Sequence, residues 1–206
     1  MVFVLAVEGY DGAGKTTLVK NISAILAERR VDCTVIGRGA ADSSTNIAAM
    51  TQVIKRSDGG FDRLSPCSDM FIRLARTHAR IGIAQASGSQ VVIFDRFIPY
   101  DISRLDEGVS DVGRSLFRDT ARAFPVDLTV YLSAEFDVLW GRVNSRSELS
   151  LKEQLGRDHN LAGYKSLDDV MGSADFFGEI LCVDCTQSEA DVAAYVWSRM
   201  ECLLGV

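Results

Sequence analysis

Five short apolar runs punctuate the chain: Val2–Val7, Cys33–Ile36, Val91–Phe94, Leu128–Leu132 and Ile180–Val183. Each is continuous rather than alternating, the pattern of strands buried on both faces of a parallel sheet. The intervening stretches are long enough for crossover helices and carry helix signals. Lys15 to about Arg29 follows a glycine-rich turn, and Ser65-Pro66 reads as an N-cap with proline at the first helical position, opening a long segment that ends near Gly88. Ser110 predicts the cap of a helix that must stop before Pro125, and Ser133 the cap of one from Ala134 to about Ser145. Ser150-x-x-Glu153 and Thr186-x-x-Glu189 read as capping boxes, the second opening a C-terminal helix. Ser57-Asp58-Gly59-Gly60 reads as a turn inside a helical region. Strand and helix signals alternate throughout, with no repeat and no low-complexity linker. One α/β domain spanning 1–206 is the expectation.

The first of these runs leads into Gly9-Tyr10-Asp11-Gly12-Ala13-Gly14-Lys15-Thr16, with Thr17 already in the helical pattern. That is G-x-x-x-x-G-K-T between a strand and a helix, the context that gives the motif its meaning. Close-set negative charges need a dense, preorganised set of donors. Glycines let the backbone curl so that successive N–H groups face inward, and the helix adds its positive N-terminal end. Lys15 then reaches the outer phosphates, and the Thr16 hydroxyl is suited to Mg²⁺. The chain is expected to bind a nucleoside triphosphate.

Composition narrows the class. At 206 residues, 47% of them hydrophobic, the chain suits one well-cored domain. A formal charge of -6 argues against a broad nucleic-acid or anionic-membrane footprint, and no apolar run approaches the length that spans a bilayer. Five cysteines, an odd number, predict free thiols in a cytoplasmic protein, with Cys182-x-x-Cys185 read as structural.

Three further groups carry candidate chemistry. Asp95 ends the run Val91–Phe94 at the carboxyl edge of a buried strand, where it suits an oxygen-ligand role for Mg²⁺, and Arg96 beside it suits a bidentate phosphate contact. Arg73, Arg76 and Arg80 share one face of the long helix; an anion site and a solvated charged face are both consistent with that stripe. The basic stretch from Trp140 to His159 holds Arg142, Arg146, Lys152 and Arg157, with Gly141 and Gly156 as hinges. It reads as a lid at about 141–159 that neutralises a migrating phosphoryl group and excludes water.

With these residues assembled, the chain resembles the thymidylate kinase family of P-loop nucleoside monophosphate kinases. The resemblance rests on the Glu8-Gly9-x-Asp11-Gly12-x-Gly14-Lys15 form of the loop, on Asp95-Arg96-Phe97, on Asp127–Leu132 as the fourth strand, and on the basic segment after Arg142. It implies a three-layer P-loop NTPase fold, a five-stranded parallel sheet with helices on both faces. It also implies ATP and Mg²⁺, a nucleoside monophosphate acceptor and a homodimer. Residue by residue, it gives Asp11 to the acceptor's sugar hydroxyl, Arg38 and Arg96 to its phosphate, and Arg76 to the thymine edge. The phosphate loop has no arginine of its own, so the lid would supply the catalytic one, from Arg142 or Arg146.

This chain departs from the family on the acceptor side. Gly39-Ala40-Ala41 follows Arg38 where the family has Glu-Pro-Gly, and Ile72 stands where a phenylalanine stacks on thymine, with Phe71 one place earlier. Pro99-Tyr100-Asp101 replaces the usual Tyr-Gln. The expectation is a phosphorylated acceptor for which thymidine monophosphate is at best mediocre. A kinase of hydroxyl groups, with Asp95 or Asp101 as the nearby carboxylate, stays open, as does a nucleotide-dependent switch without kinase activity. The chain has no Asn-Lys-x-Asp guanine-reading motif, which argues against a GTPase.

Overall fold

The computed structural model describes residues 2–40, 65–150, 152–173 and 177–205. The expected turn at Ser57–Gly60 lies outside them. Five strands, β1 (Phe3–Gly9), β2 (Cys33–Ile36), β3 (Val91–Asp95), β4 (Leu128–Ser133) and β5 (Glu179–Asp184), form one sheet in the order β2-β3-β1-β4-β5. Every pairing is parallel, with Val7 opposite both Asp95 and Val130. All seven residues of β1 are buried, as its continuous apolar run predicts for a central strand. The edge strands are more open, and Val35 of β2 is 45% exposed.

Among the described residues seven α-helices accompany the strands: α1 (Lys15–Glu28), α2 (Pro66–Ala86), α3 (Ile98–Ile102), α4 (Ser110–Ala123), α5 (Phe136–Asn144), α6 (Arg157–Gly172) and α7 (Glu189–Leu204). Successive β1 residues point to opposite faces. Leu5 and Val7 join Leu18, Ile22, Val196 and Met200 in one core, while Val4 and Ala6 join Ile81, Phe94, Phe117 and Phe124 in the other. The result is the expected three-layer α/β architecture. No helix of the described residues is long and apolar enough to cross a membrane.

Several helix starts differ from the sequence expectation. Ser65 caps α2 as expected, accepting from Ser68 N. For α7, however, Ser188 rather than Thr186 is the N-cap and accepts from Asp191 N. Ser-x-x-Asp is the shorter-armed equivalent of the Thr-x-x-Glu box, and Thr186 is instead tied back to Asp184 by its own N–H. Ser133 is the last residue of β4 rather than a cap, and α5 begins after Glu135 with no side-chain cap. Ser150 and Glu153 do form a reciprocal box, but it closes a 3-10 turn (Glu153–Leu155), not an α-helix. Helix α6 gives no cap signal in the sequence because Gly156, at φ 93°, precedes it without a side chain.

Candidate active site

The phosphate loop joins β1 to α1 at the carboxyl edge of the sheet, and its curl requires glycine in two tight places. Gly9 has φ 145° and a Cβ there would sit 2.6 Å from the Leu132 carbonyl oxygen; Gly12 has φ 88° and would meet the Leu139 carbonyl oxygen at the same distance. Within this cradle Lys15, 6% exposed, donates to Tyr10 O at 2.6 Å. Burial, and then the neighbouring Arg96, push its ammonium down to about 7, against the pull of Asp11, Asp95 and Glu8. The Thr16 hydroxyl lies 3.4 Å from Asp95 Oδ2. Two hard oxygens side by side fit a divalent cation that keeps most of its other ligands as water and phosphate oxygens. No cluster of three His, Cys, Asp or Glu among the described residues forms a dedicated metal cage.

Lys15, Thr16 and Asp95 line a cavity of about 370 Å³ together with Arg38, Arg96 and Arg146. With Asp11, Gly12, Gly14 and Thr17 also on its wall, the structure brings ten of the sequence-selected residues to one space. Asp11 is held by Arg96 on one oxygen and by Lys152 Nζ, at 3.0 Å, on the other. Burial alone would raise the Asp11 carboxyl, but Arg96, Lys152 and Lys15 outweigh it and hold it well below the usual carboxylate range.

Two expected arginines lie elsewhere. Arg142, read with Arg146 as acting on the migrating phosphoryl, instead donates to Cys185 O at 3.0 Å and lines a neighbouring cavity of about 320 Å³, which shares Gly12, Gly14 and Thr17 with the first, together with Ala13, Leu18, Asn21 and Gln187. The reason is helical geometry: Arg142 sits in α5 on the β5 side of the loop, whereas Arg146 lies beyond the helix end. Cys185 is buried at this cavity while Cys182 is exposed, so the two thiols of the pair have different surroundings. Arg76 does not line the phosphate cavity either; its guanidinium donates to Arg38 O at 3.0 Å.

Other residues of the site gave little or no sequence signal. Arg80, expected only as part of a helical stripe, is 3% exposed and gives Nη2 to the carbonyls of Ile36, Asp95 and Arg96. It therefore binds together the carboxyl ends of β2 and β3 just where Arg96 adopts φ 62°. Glu8, fully buried, accepts from Phe97 N at 2.6 Å, and burial pushes its carboxyl up to about 7 despite that amide and Arg96. Asn160, also fully buried, takes the Tyr10 hydroxyl at 3.1 Å. Arginine is rarely so buried without a purpose, but its periodicity alone does not distinguish an inward stripe from an outward one.

A third, polar cavity of about 470 Å³ is lined by Arg73, Ser103, Arg104, His159, Gly163 and Ser166 among others, and among the described residues that line it none is aromatic except the histidine. Arg73 there pairs with Asp69 at 2.6 Å and Asp101 at 3.6 Å. Ile72 is half-buried and Phe71 is 59% exposed, so neither presents a buried ring.

A parallel sheet with this loop, a strand-end Asp-Arg and converging arginines defines a P-loop phosphotransferase. The thymidylate kinase family profile matches residues 7–194. A probable thymidylate kinase of Archaeoglobus fulgidus is 31% identical over 157 residues, covering 74% of each chain. The chain belongs to the thymidylate kinase family, and is accordingly a nucleoside monophosphate kinase.

Proposed function

We propose that the protein transfers the γ-phosphoryl of ATP to a nucleoside monophosphate in the 370 Å³ cavity. The observation that carries this reading is the convergence there of Lys15, Arg38, Arg96 and Arg146 beside the Thr16–Asp95 oxygen pair. The loop amides and Lys15 hold the donor's outer phosphates. Arg38 and Arg96 hold the acceptor's phosphate, whose oxygen is the nucleophile, so no protein base is needed. Arg146 neutralises charge on the group in flight; it gives one donor to the buried Glu153 at 2.8 Å, which fixes its stem and leaves further donors for the cavity. Mg²⁺ held by Thr16 and Asp95 would supply Lewis-acid neutralisation of the phosphates. Positioning and charge account for the catalysis.

In the same reading Arg142 faces the donor's base from the 320 Å³ cavity, and the acceptor's distal half meets the polar 470 Å³ cavity. A homodimer belongs to the reading on the strength of the family resemblance. ADP release in the presence of Mg²⁺, with and without a panel of nucleoside monophosphates and the parent nucleosides, is the test. Release stimulated by monophosphates supports the proposal. Stimulation by nucleosides alone means a hydroxyl kinase, and none by either means a nucleotide-binding module.

A further inference from the structure

The expected lid carries a half-buried cation with no part in the reaction as described above. Lys152 Nζ lies 3.0 Å from Asp11 Oδ2 and 4.2 Å from the centre of the Tyr10 ring. Its side chain is 17% exposed, although Glu148 and Ser150 close by are exposed. The other oxygen of Asp11 is taken by Arg96. One carboxylate is therefore clamped between an arginine from the end of β3 and a lysine from the lid.

The surrounding charge is unbalanced. Arg38, Arg96 and Lys152 approach the Tyr100 ring at 4.4, 4.9 and 6.0 Å from its centre. Three cations thus surround one ring, and only two of them, Arg96 and Lys152, are paired with Asp11, which favours a further anion at this spot. The Tyr100 hydroxyl feels the same field: burial would raise it, yet Arg38, Lys152 and Arg96 bring it below its ordinary value. Nor is Lys152 loosely tethered. Asn160 Nδ2 donates to Lys152 O at 3.3 Å and Gly156 O at 2.8 Å, while its oxygen takes the Tyr10 hydroxyl. The lid turn and the phosphate loop are joined through one buried amide.

We propose that Lys152 is an acceptor-binding residue that shares the acceptor's phosphate with Arg96 and so couples the seating of the lid to acceptor occupancy. The proposal rests on the phosphotransferase reading above. A phosphate brings nearly two charges and several acceptor oxygens, enough to engage both cations that Asp11 now holds. An ammonium has three donors, so Lys152 can keep Asp11 while taking a phosphate oxygen. Lys152 does not itself line the 370 Å³ cavity, but the Asp11 that it holds does, beside Arg38 and Arg96, so a phosphate seated on those arginines lies next to the Lys152 ammonium.

Lys152→Met keeps an apolar stem on Tyr10 and removes the charge. Calorimetric titration with thymidine monophosphate should show affinity weakened about tenfold or more, the usual consequence of losing one charged hydrogen bond. ATP affinity should change less than twofold, and Lys152→Arg should recover most of the loss. Unchanged monophosphate affinity overturns the proposal. So does an equal loss for ATP, which would mark a general effect on the lid, or a failure of arginine to rescue. If no monophosphate of the panel stimulates ADP release by the wild-type protein, the phosphotransferase reading itself fails; if one does and Lys152→Met binds it normally, only the role of Lys152 falls.

Discussion

Arg96 adopts a left-handed backbone, φ 62°, at the end of β3, a conformation that costs a non-glycine residue roughly 1–2 kcal/mol. Three neighbours hold it: Arg80 on its carbonyl, Val7 O on its N–H at 3.0 Å, and Glu8 on the next N–H. The strain aims the guanidinium back across the loop to Asp11. Asp95-Arg96 was legible because it is contiguous and follows an apolar run. Its supports were not, since Glu8 lies 89 residues from Phe97, and Asn160 lies 150 from Tyr10. Only the tertiary fold creates those pairs. Lys15 carries a prediction at this scale. With its pKa brought to about 7 by burial, it is mostly neutral at pH 8 in the free protein. Bound phosphate charge favours the ammonium and raises that pKa, so nucleotide binding at pH 8 should take up close to one proton, and at pH 6, where Lys15 is already charged, should take up none. Titration calorimetry in buffers of different ionisation enthalpy measures this directly; no net uptake at pH 8 would remove the buried-lysine account.

Elements were legible where a side chain announces them. Ser65-Pro66 marked the start of α2, and the glycine-rich turn marked α1. Where a glycine or nothing caps the helix, as at α6 and α5, only the fold reveals the boundary. The short α3 carries no sequence signal because five residues show no periodicity. The stretch from Arg142 to Gly156 shows what periodicity cannot resolve, since Arg142 and Arg146, four positions apart in sequence, line different cavities. Arg142 is still inside α5, while Arg146 falls beyond its end, where the helical rule that i and i+4 share a face no longer holds. Their substitution should therefore have different kinetic signatures. Arg146→Ala should lower kcat by about 10²-fold or more with little effect on ATP binding, because it removes charge neutralisation that grows in the transition state. An unchanged kcat in steady-state assays would return Arg146 to the role of a surface ion pair with Glu153.

At the scale of the whole molecule, a chain of formal charge -6 concentrates its cations at one edge of the sheet. Arg38, Arg96, Lys15 and Lys152 converge between the end of β3, the phosphate loop and the lid, so the field in the cleft opposes that of the surface and draws small anions inward. In the proposed reading the acceptor's distal half meets the polar 470 Å³ cavity. Among the described residues that cavity offers Arg73, Arg104, Ser103 and Ser166 and no aromatic ring but His159, Phe71 faces solvent, and Arg76 is turned to the backbone of Arg38. A base loses roughly 1–3 kcal/mol without an aromatic platform, whereas polar groups in such a pocket reward hydrogen-bonding partners and penalise apolar ones such as the thymine methyl. Thymidine monophosphate should accordingly be a mediocre substrate, and another natural monophosphate should surpass it in kcat/KM. A steady-state comparison across the natural nucleoside monophosphates decides the matter. A preference of ~10-fold or more for thymidine monophosphate, about 1.4 kcal/mol of transition-state discrimination, would show that the missing ring is replaced by contacts from outside this cavity and that the acceptor specificity is the ordinary one of the family.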